Sequence, residues 1–458
     1  MSDDSEVSFH DLPSQWKWTE LADLASLING DRGKNYPAQS DRVAYGVPFI
    51  NTGHIEPTGR LSTERMDFIT RANFEKLGSG KVKPGDILYC LRGSTIGKIA
   101  RNEFEEGAIA SSLVIIRAKK RALQQFIYFY LASPIGLALA KKFDNGSAQP
   151  NLSAETVSRY PIPLPPEEDV SLISQFLGAL DDKIDLNRRM NETLEAMARA
   201  LFKDWFVDFG PTRAKMALRG EAPMNQGTGG EAPQKENVAR EPYLAPDLWD
   251  LFPDRLDADG KPEGWGVGTV GTCFKLTMGQ SPPGNTYNEI GDGLPFFQGR
   301  TDFGFRYPEN RKYCSAPKRI AEADDTLVSV RAPVGDINMS WEKCCIGRGV
   351  AALRHKSGSP SFTYYAAWSV QNELTAYEHT GTVFGAINKK QFEALSVVDP
   401  APSVIEAFDE YVGPLEERIR DNITESRTLA QTRDLLLPKL MSGEIRLKDA
   451  EKQVEAVA

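Results

Sequence analysis

The sequence predicts an α+β fold in two tandem copies. Each copy is a globular body followed by a long helix, and the two helices pair as an antiparallel coiled coil with pseudo-twofold symmetry. Three observations predict this. The second half of the chain repeats the first, each half ends in an unbroken heptad seam, and the rest of each half mixes short β-rich runs with helical stretches.

The repeat is legible in short matches. Pro13-Ser14-Gln15-Trp16 returns as Pro262-Glu263-Gly264-Trp265, an offset of 249. Val47-Pro48-Phe49-Ile50 returns as Leu294-Pro295-Phe296-Phe297 at 247. Gly85-Asp86-Ile87-Leu88 with Leu91-Arg92-Gly93 returns as Asp324-Asp325-Thr326-Leu327 with Val330-Arg331-Ala332 at 239. Ile162-Pro163-Leu164-Pro165 returns as Val397-Val398-Asp399-Pro400 at 235, and Gly178 to Ile184 returns as Gly413 to Ile419 at the same offset. Stepwise drift means loops of unequal length between shared framework elements. The constant last offset means that the final segment tolerates no insertion.

Periodicity explains that constancy. In the first half Ile173, Leu177, Leu180, Ile184, Asn187, Asn191, Leu194, Ala198, Leu201 and Trp205 alternate spacings of four and three. Adding 235 gives Phe408, Val412, Leu415, Ile419, Asn422, Ser426, Leu429, Arg433, Leu436 and Leu440. A seam sustained over about four heptads is the pattern of coiled-coil helices. One inserted residue would rotate the seam by about 100°. Asn187 and Asn422 hold the same heptad position, where a polar group weakens the seam but specifies register.

The β-rich runs include Ser112 to Ile116 and Thr326 to Val330, bounded by Gly, Pro and Asn, and the stretch from Gln124 to Leu139 reads as helix. Domain limits follow. Residues 1–12 are an N-terminal tail, 13–165 the first body, 166–206 the first long helix, 207–261 a linker, 262–402 the second body, 403–443 the second long helix and 444–458 a C-terminal tail. The linker repeats Gly-Glu-Ala-Pro at 220 and 230 within polar filler, a composition too poor in apolar residues to bury a core. Its end, Leu248-Trp249-Asp250-Leu251-Phe252-Pro253, is apolar enough to dock.

Composition narrows the class. The 458 residues are 41% hydrophobic and 26% charged, ordinary for a soluble protein of two or three domains. No run of about 18 apolar residues reads as a membrane span, and the acidic N-terminus does not read as a signal peptide. The spacing of Cys90, Cys273, Cys314, Cys344 and Cys345 suits neither zinc nor a disulfide framework, which points to a reducing cytoplasm. The net charge of −9 argues against nucleic acid only until it is divided. Residues 13–165 carry +6 and 262–402 carry zero, whereas the helices, linker and N-terminal tail hold the negative charge. Phosphate binding needs clustered Lys and Arg on one face, not a basic total.

Motifs for chemistry are missing. Ser281-Pro282-Pro283-Gly284 lacks the preceding Asn or Asp and the following aromatic of an amino-methyltransferase motif. Gly93 to Ile99 is one residue short of a phosphate-cradling loop and lacks its Ser or Thr. His10, His54, His355 and His379 are scattered. Cys344-Cys345 reads as strand, and Glu342-Lys343 alone does not make a nuclease site.

Taken together, the Pro-x-x-Trp domain starts, the Pro163-to-Pro166 exit, the heptad helices and two further runs resemble the specificity subunit of type I restriction-modification systems. Those runs are Leu201 to Phe209 and Leu435 to Ile445. The likeness spans about residues 13–446, although Asp399-Pro400-Ala401-Pro402 departs from the first half's exit. It implies two target recognition domains, each reading one half of a bipartite asymmetric DNA site, in a system that defends against phage. It implies helices that set the spacer and dock two methyltransferase (modification) subunits, with two motor-nuclease (restriction) subunits completing the complex. No cofactor is implied in this chain; S-adenosylmethionine, ATP and Mg belong to the partner subunits. A seam of about 32 residues spans roughly 48 Å, on the scale of half-sites roughly 34 Å apart. Alternatives are the same module beside a fused nuclease, or a coiled-coil adaptor that binds only proteins.

Base reading needs polar side chains on exposed loops. In the first body the candidates are Arg32, Lys34, Asn51, Thr52, Arg92, Ser94, Thr95, Asn145, Ser147 and Gln149. In the second they are Gln280, Ser281, Gln298, Arg300, Thr301, Arg331, Thr382, Asn388 and Lys389. Arg92 and Arg331 are equivalent, which fits a DNA contact or a framework salt bridge.

Overall fold

The computed structural model describes residues 12–56, 58–143, 151–221, 242–377 and 385–455. The chain divides into two compact units, Met1–Arg188 with Ile423–Ala458, and Arg189–Asn422. Two long helices, Glu167–Phe206 and Pro402–Ser442, contribute one part to each unit. The architecture is mixed helix and sheet.

In the first unit an antiparallel sheet runs Ala25–Asn29, Leu113–Ala118, Ile87–Cys90, Ile99–Arg101. Its central strands are apolar without alternation because both faces are covered. Val114 and Ile116 face a core with Phe126, Phe129 and Leu177, while Leu113 and Ile115 face another with Ile50 and Ile109. A second sheet runs Arg42–Val43, Phe68–Ile69, Val47–Ile50, Ala108–Ile109, and its last pair is parallel. The helix expected from Gln124 to Leu139 is two, Arg121–Ala132 and Pro134–Lys142, bent by 69°. Pro134 cannot continue the first helix but suits the opening turn of the second, where the Ser133 hydroxyl accepts from Gly136 N–H at 3.3 Å. Beyond the second long helix, residues read as tail form the helix Leu447–Glu455, whose Ala450 lies in the first unit's core.

The second unit repeats this topology, with one further strand, Ile320–Ala321, at the end of its second sheet. One sheet runs Phe274–Met278, Val350–His355, Thr326–Ser329, Ile337–Met339. The other again contains a parallel pair, Leu294–Phe297 with Cys344–Ile346. The matched Gly85-Asp86 and Asp324-Asp325 now have a cause. Gly85 and Asp324 both sit at positive φ, 84° and 64°. The following aspartate accepts a turn N–H, from Lys83 at 2.7 Å or Glu322 at 2.8 Å, and pairs with Arg117 or Arg354 on the neighbouring strand. The described parts of the connector pack within this unit. Gly210–Leu218 is helical, Lys215 Nζ donates to Phe252 O at 2.6 Å, and buried Phe252 meets Trp205 with ring centroids 5.1 Å apart.

Within each unit the parts of the two long helices run antiparallel. In the first, Asp181 meets Arg433 at 2.7 Å, and Asn187 donates to Glu425 and Ser426. In the second, Asn422 donates to Asn191 at 2.9 Å, and Trp205 lies against Phe408. Asn187 with Ser426 and Asn422 with Asn191 are the same pair under the 235-residue offset. Of the seam residues, Ile173, Leu177, Leu180, Asn187, Phe408, Val412, Ile419, Asn422 and Leu436 are buried. Ile184, Leu194, Leu201, Leu415 and Leu429 are half-buried. The seam also faces the bodies, since Ile173, Leu177 and Leu436 share the first unit's main core. Pro414 and Pro438 lie inside the second long helix, where lost backbone bonds would favour a break. Among the described residues no single helix is long and apolar enough to cross a membrane.

Candidate nucleic-acid interface

In the second unit four loops converge at one end of the main sheet. They follow Phe274–Met278, Leu294–Phe297 and Thr326–Ser329, and precede Val350–His355. Between them lies an open cleft of about 530 Å³ lined by Gln298, Gly299, Arg300, Thr301, Arg331, Ala332, Pro333, Arg348 and Gly349. The structure thus gathers four of the candidates, Gln298, Arg300, Thr301 and Arg331. Arg300 is held by Asp336 at 3.1 Å. Arg331 and Arg348 are exposed and, among the described residues, have no ion-pair partner. Gln280 and Ser281 brace this end: Gln280 N–H donates to Ile346 O at 3.0 Å, and the Ser281 hydroxyl accepts from Arg348 N–H at 3.3 Å. Asn388 is engaged elsewhere, capping the helix Lys389–Glu393 through Gln391 N–H, and Lys389 pairs with Glu393 at 3.4 Å. Thr382 lies outside the described residues.

The same end of the first unit carries Arg32, Lys34, Arg92, Ser94 and Thr95, all exposed. Arg32 donates to Ser111 O at 3.3 Å. Its loop is pinned by Asp31, whose carboxylate accepts from Gly33 and Gly78 N–H groups at 2.7 and 2.8 Å. Those bonds to the charged form hold the Asp31 carboxyl below the usual range. Thr95 lies 3.4 Å from the Cys90 sulfur, in a turn whose Gly93 and Gly97 both have φ 79°. Arg92 bridges to Asn151, as Arg331 bridges to Ala386. Neither arginine forms a framework salt bridge among the described residues. Asn51 is spent on structure: its Oδ1 accepts from Gly53 N–H at 2.7 Å and its Nδ2 donates to Asp67 at 3.0 Å, beside half-buried Thr52. Asn145, Ser147 and Gln149 lie outside the described residues.

Two features escaped the sequence reading. Arg348 has Ser111 as its counterpart in the repeat, so no match drew attention to it. Its signal was the flanking pair Gly347 and Gly349. An added Cβ at Gly349 would strike Gln298 O, and one at Gly279 would strike Gly347 O, so Arg348 alone projects a side chain from that turn. The second feature is an arginine anchor in each unit, Arg60 and Arg306, on equivalent short hairpins. Arg60 meets Asp185 at 3.0 Å and Glu103 at 3.1 Å. Arg306 is fully buried, meets Glu416 at 3.3 Å and Glu195 at 3.4 Å, and lies 3.8 Å over the Tyr364 ring. Burial pushes the Glu195 carboxyl up, against the opposing pull of Arg306 and Arg199. These carboxylates stand off the heptad seam, where sequence alone reads solvated surface.

The two α+β units thus repeat one main-sheet topology, each with exposed arginines on the loops at one end of that sheet. Residues 13–196 match the family model described as the type I restriction modification DNA specificity domain. The putative type I restriction enzyme MjaX specificity subunit of Methanocaldococcus jannaschii is 26% identical over 96% of this chain and 95% of its own length. The HindI specificity subunit of Haemophilus influenzae is 27% identical over 93% and 100%. A crystal structure of the type I restriction-modification S subunit from M. genitalium, 14% identical, covers 95% of this chain and 98% of that one with a TM-score of 0.52, a likeness of fold. On these matches the chain is similar along nearly its whole length to type I restriction-modification specificity subunits, and its residues 13–196 to the DNA specificity domain.

Proposed function

We propose that this chain confers DNA sequence specificity on a type I restriction-modification complex, each unit reading one half of a bipartite, asymmetric double-stranded site. The observation that carries this is the repeated loop end: the same topology offers exposed arginines twice, on loops whose other residues have diverged. Diverged loops imply two unrelated half-sequences. The paired helices set the spacer and dock two modification subunits, and two restriction subunits complete the assembly. The chain itself catalyses nothing. S-adenosylmethionine, ATP and Mg act on the partner subunits, and the adenine to be methylated is extruded into the partner's site.

The test is co-expression of the full chain with its modification subunit, followed by genome-wide mapping of methylated bases. A two-part motif with a fixed gap is expected. One heptad added to both helices, beside Asn187 and Asn422, adds about 10 Å and lengthens the gap by about three base pairs. A continuous motif, or a gap unchanged by the heptads, refutes the proposal; a chain that binds the modification subunit but footprints no sequence is an adaptor.

A further inference from the structure

We propose that each unit reads a guanine with two arginines at the same place in its fold, Arg348 with Arg331 in the second unit and Arg32 with Arg92 in the first. This rests on the proposed function and deepens it. The place is the turn that leads into the longest strand of the main sheet. In the first unit Leu91 N–H donates to Ser112 O at 2.9 Å, which sets Arg92 beside Ser111-Ser112, while Arg32 reaches Ser111 O from the other side. In the second unit Val330 N–H donates to Gly349 O at 2.9 Å, which sets Arg331 beside Arg348-Gly349.

Arg92 and Arg331 are counterparts in the repeat, but Arg32 and Arg348 are not. Arg32 aligns with Ser281 and Ser111 with Arg348, so serine and arginine have changed places across the same contact. The contact itself is retained because the backbones touch there. A Cβ on Gly30 would lie 2.8 Å from Ile109 O, and Gly279 meets Gly347 O in the same way. A framework role needs neither arginine, since the glycine contact already closes the turn. A second arginine kept at one spot from opposite loops marks a requirement for the guanidinium itself.

All four side chains are exposed and, among the described residues, lack a carboxylate partner; Arg32 gives one Nη2 donor to Ser111 O at 3.3 Å and keeps its others for a ligand. The cleft beside Arg331 and Arg348 is open and holds Gln298 and Thr301, room for a base-pair edge rather than an isolated anion. A guanidinium fork in the major groove matches guanine O6 and N7 and no other base edge.

The experiment uses the full chain with its modification subunit and reads the methylated motif of wild type, Arg348→Ala, Arg348→Lys and Arg32→Ala. Wild type is expected to need a G·C pair in both halves. Arg348→Ala and Arg348→Lys should each lower discrimination at one such pair by about 5- to 160-fold, in one half only, and Arg32→Ala should do so in the other half. A bipartite motif without G·C in either half overturns this inference and leaves the proposed function standing. Uniform loss of methylation at unchanged preference in Arg348→Ala shows a phosphate contact, and full preference kept by Arg348→Lys shows that the guanidinium fork is not required; either result also overturns it. A motif that is not bipartite overturns the proposed function, and this inference with it.

Discussion

Replacing Arg306 by methionine should destabilise the second unit by about 3–4 kcal/mol. The cation is fully buried, and it faces Glu195 and Glu416, whose side chains are 5% and 16% exposed. Breaking a buried pair by removing one partner costs about 3–5 kcal/mol because the remaining charge is uncompensated. Here Arg199 still meets Glu195 and the Tyr365 hydroxyl still donates to Glu416, so the lower end applies. For a unit of this size that loss lowers Tm by about 6–16 °C. The chain has two units, so calorimetry must follow the affected transition, with Arg60→Met as the matching change in the first unit. The pH dependence has a definite sign. Arg306 lowers a Glu195 carboxyl already raised by burial, so its removal raises that carboxyl further. A carboxyl raised in the folded state contributes stability at low pH that is lost as pH rises through the folded value. The deficit should therefore be larger at pH 8 than at pH 5. Adding Glu195→Gln to Arg306→Met should recover part of it, although Glu195→Gln alone destabilises. A Tm change under about 2 °C, or no recovery in the double variant, would falsify the buried-anchor reasoning.

Asn422→Leu should cost about 1–3 kcal/mol by taking from buried Asn191 the amide that donates to it, and Asn191→Leu with Asn422→Leu should return urea stability close to wild type. Gly279→Ala should cost about 1–3 kcal/mol, because its methyl would press on Gly347 O. Gly284→Ala, with nothing within 4 Å, should stay within about 0.5 kcal/mol; equal effects in thermal melts would exclude the close-approach argument.

The long helices were the most legible elements. A heptad seam is a one-dimensional signal, and it outweighed Pro414 and Pro438 because packing along a 41-residue helix exceeds the local loss of backbone bonds. The duplicated framework was legible wherever backbone geometry restricts residue choice, as at Gly85 and Asp324. Side-chain destinations were not. Asn51 and Asn388 have base-reading chemistry, yet both are consumed as caps, which loop composition does not reveal. Arg306 looks like any surface arginine until a hairpin carries it under Tyr364 and Tyr365. Arg348 was hidden because the repeat comparison rewards identity, whereas this site exchanged its two residues.

The short strand Lys17–Glu20 pairs with Pro161–Leu164 in the first unit, and Gly266–Thr269 pairs with Ser396–Asp399 in the second. The chain therefore comes into each body and goes out of it through neighbouring strands, about 4.8 Å apart. Whatever lies between such strands is topologically a cassette. A different body could replace it without re-registering the helices, provided that its two ends arrive at one strand spacing. Exchange at one of these short ribbons would replace one body and leave the other body and the helix sequences unchanged. That also accounts for the repeat offset, which drifts inside the bodies and holds constant in the helices.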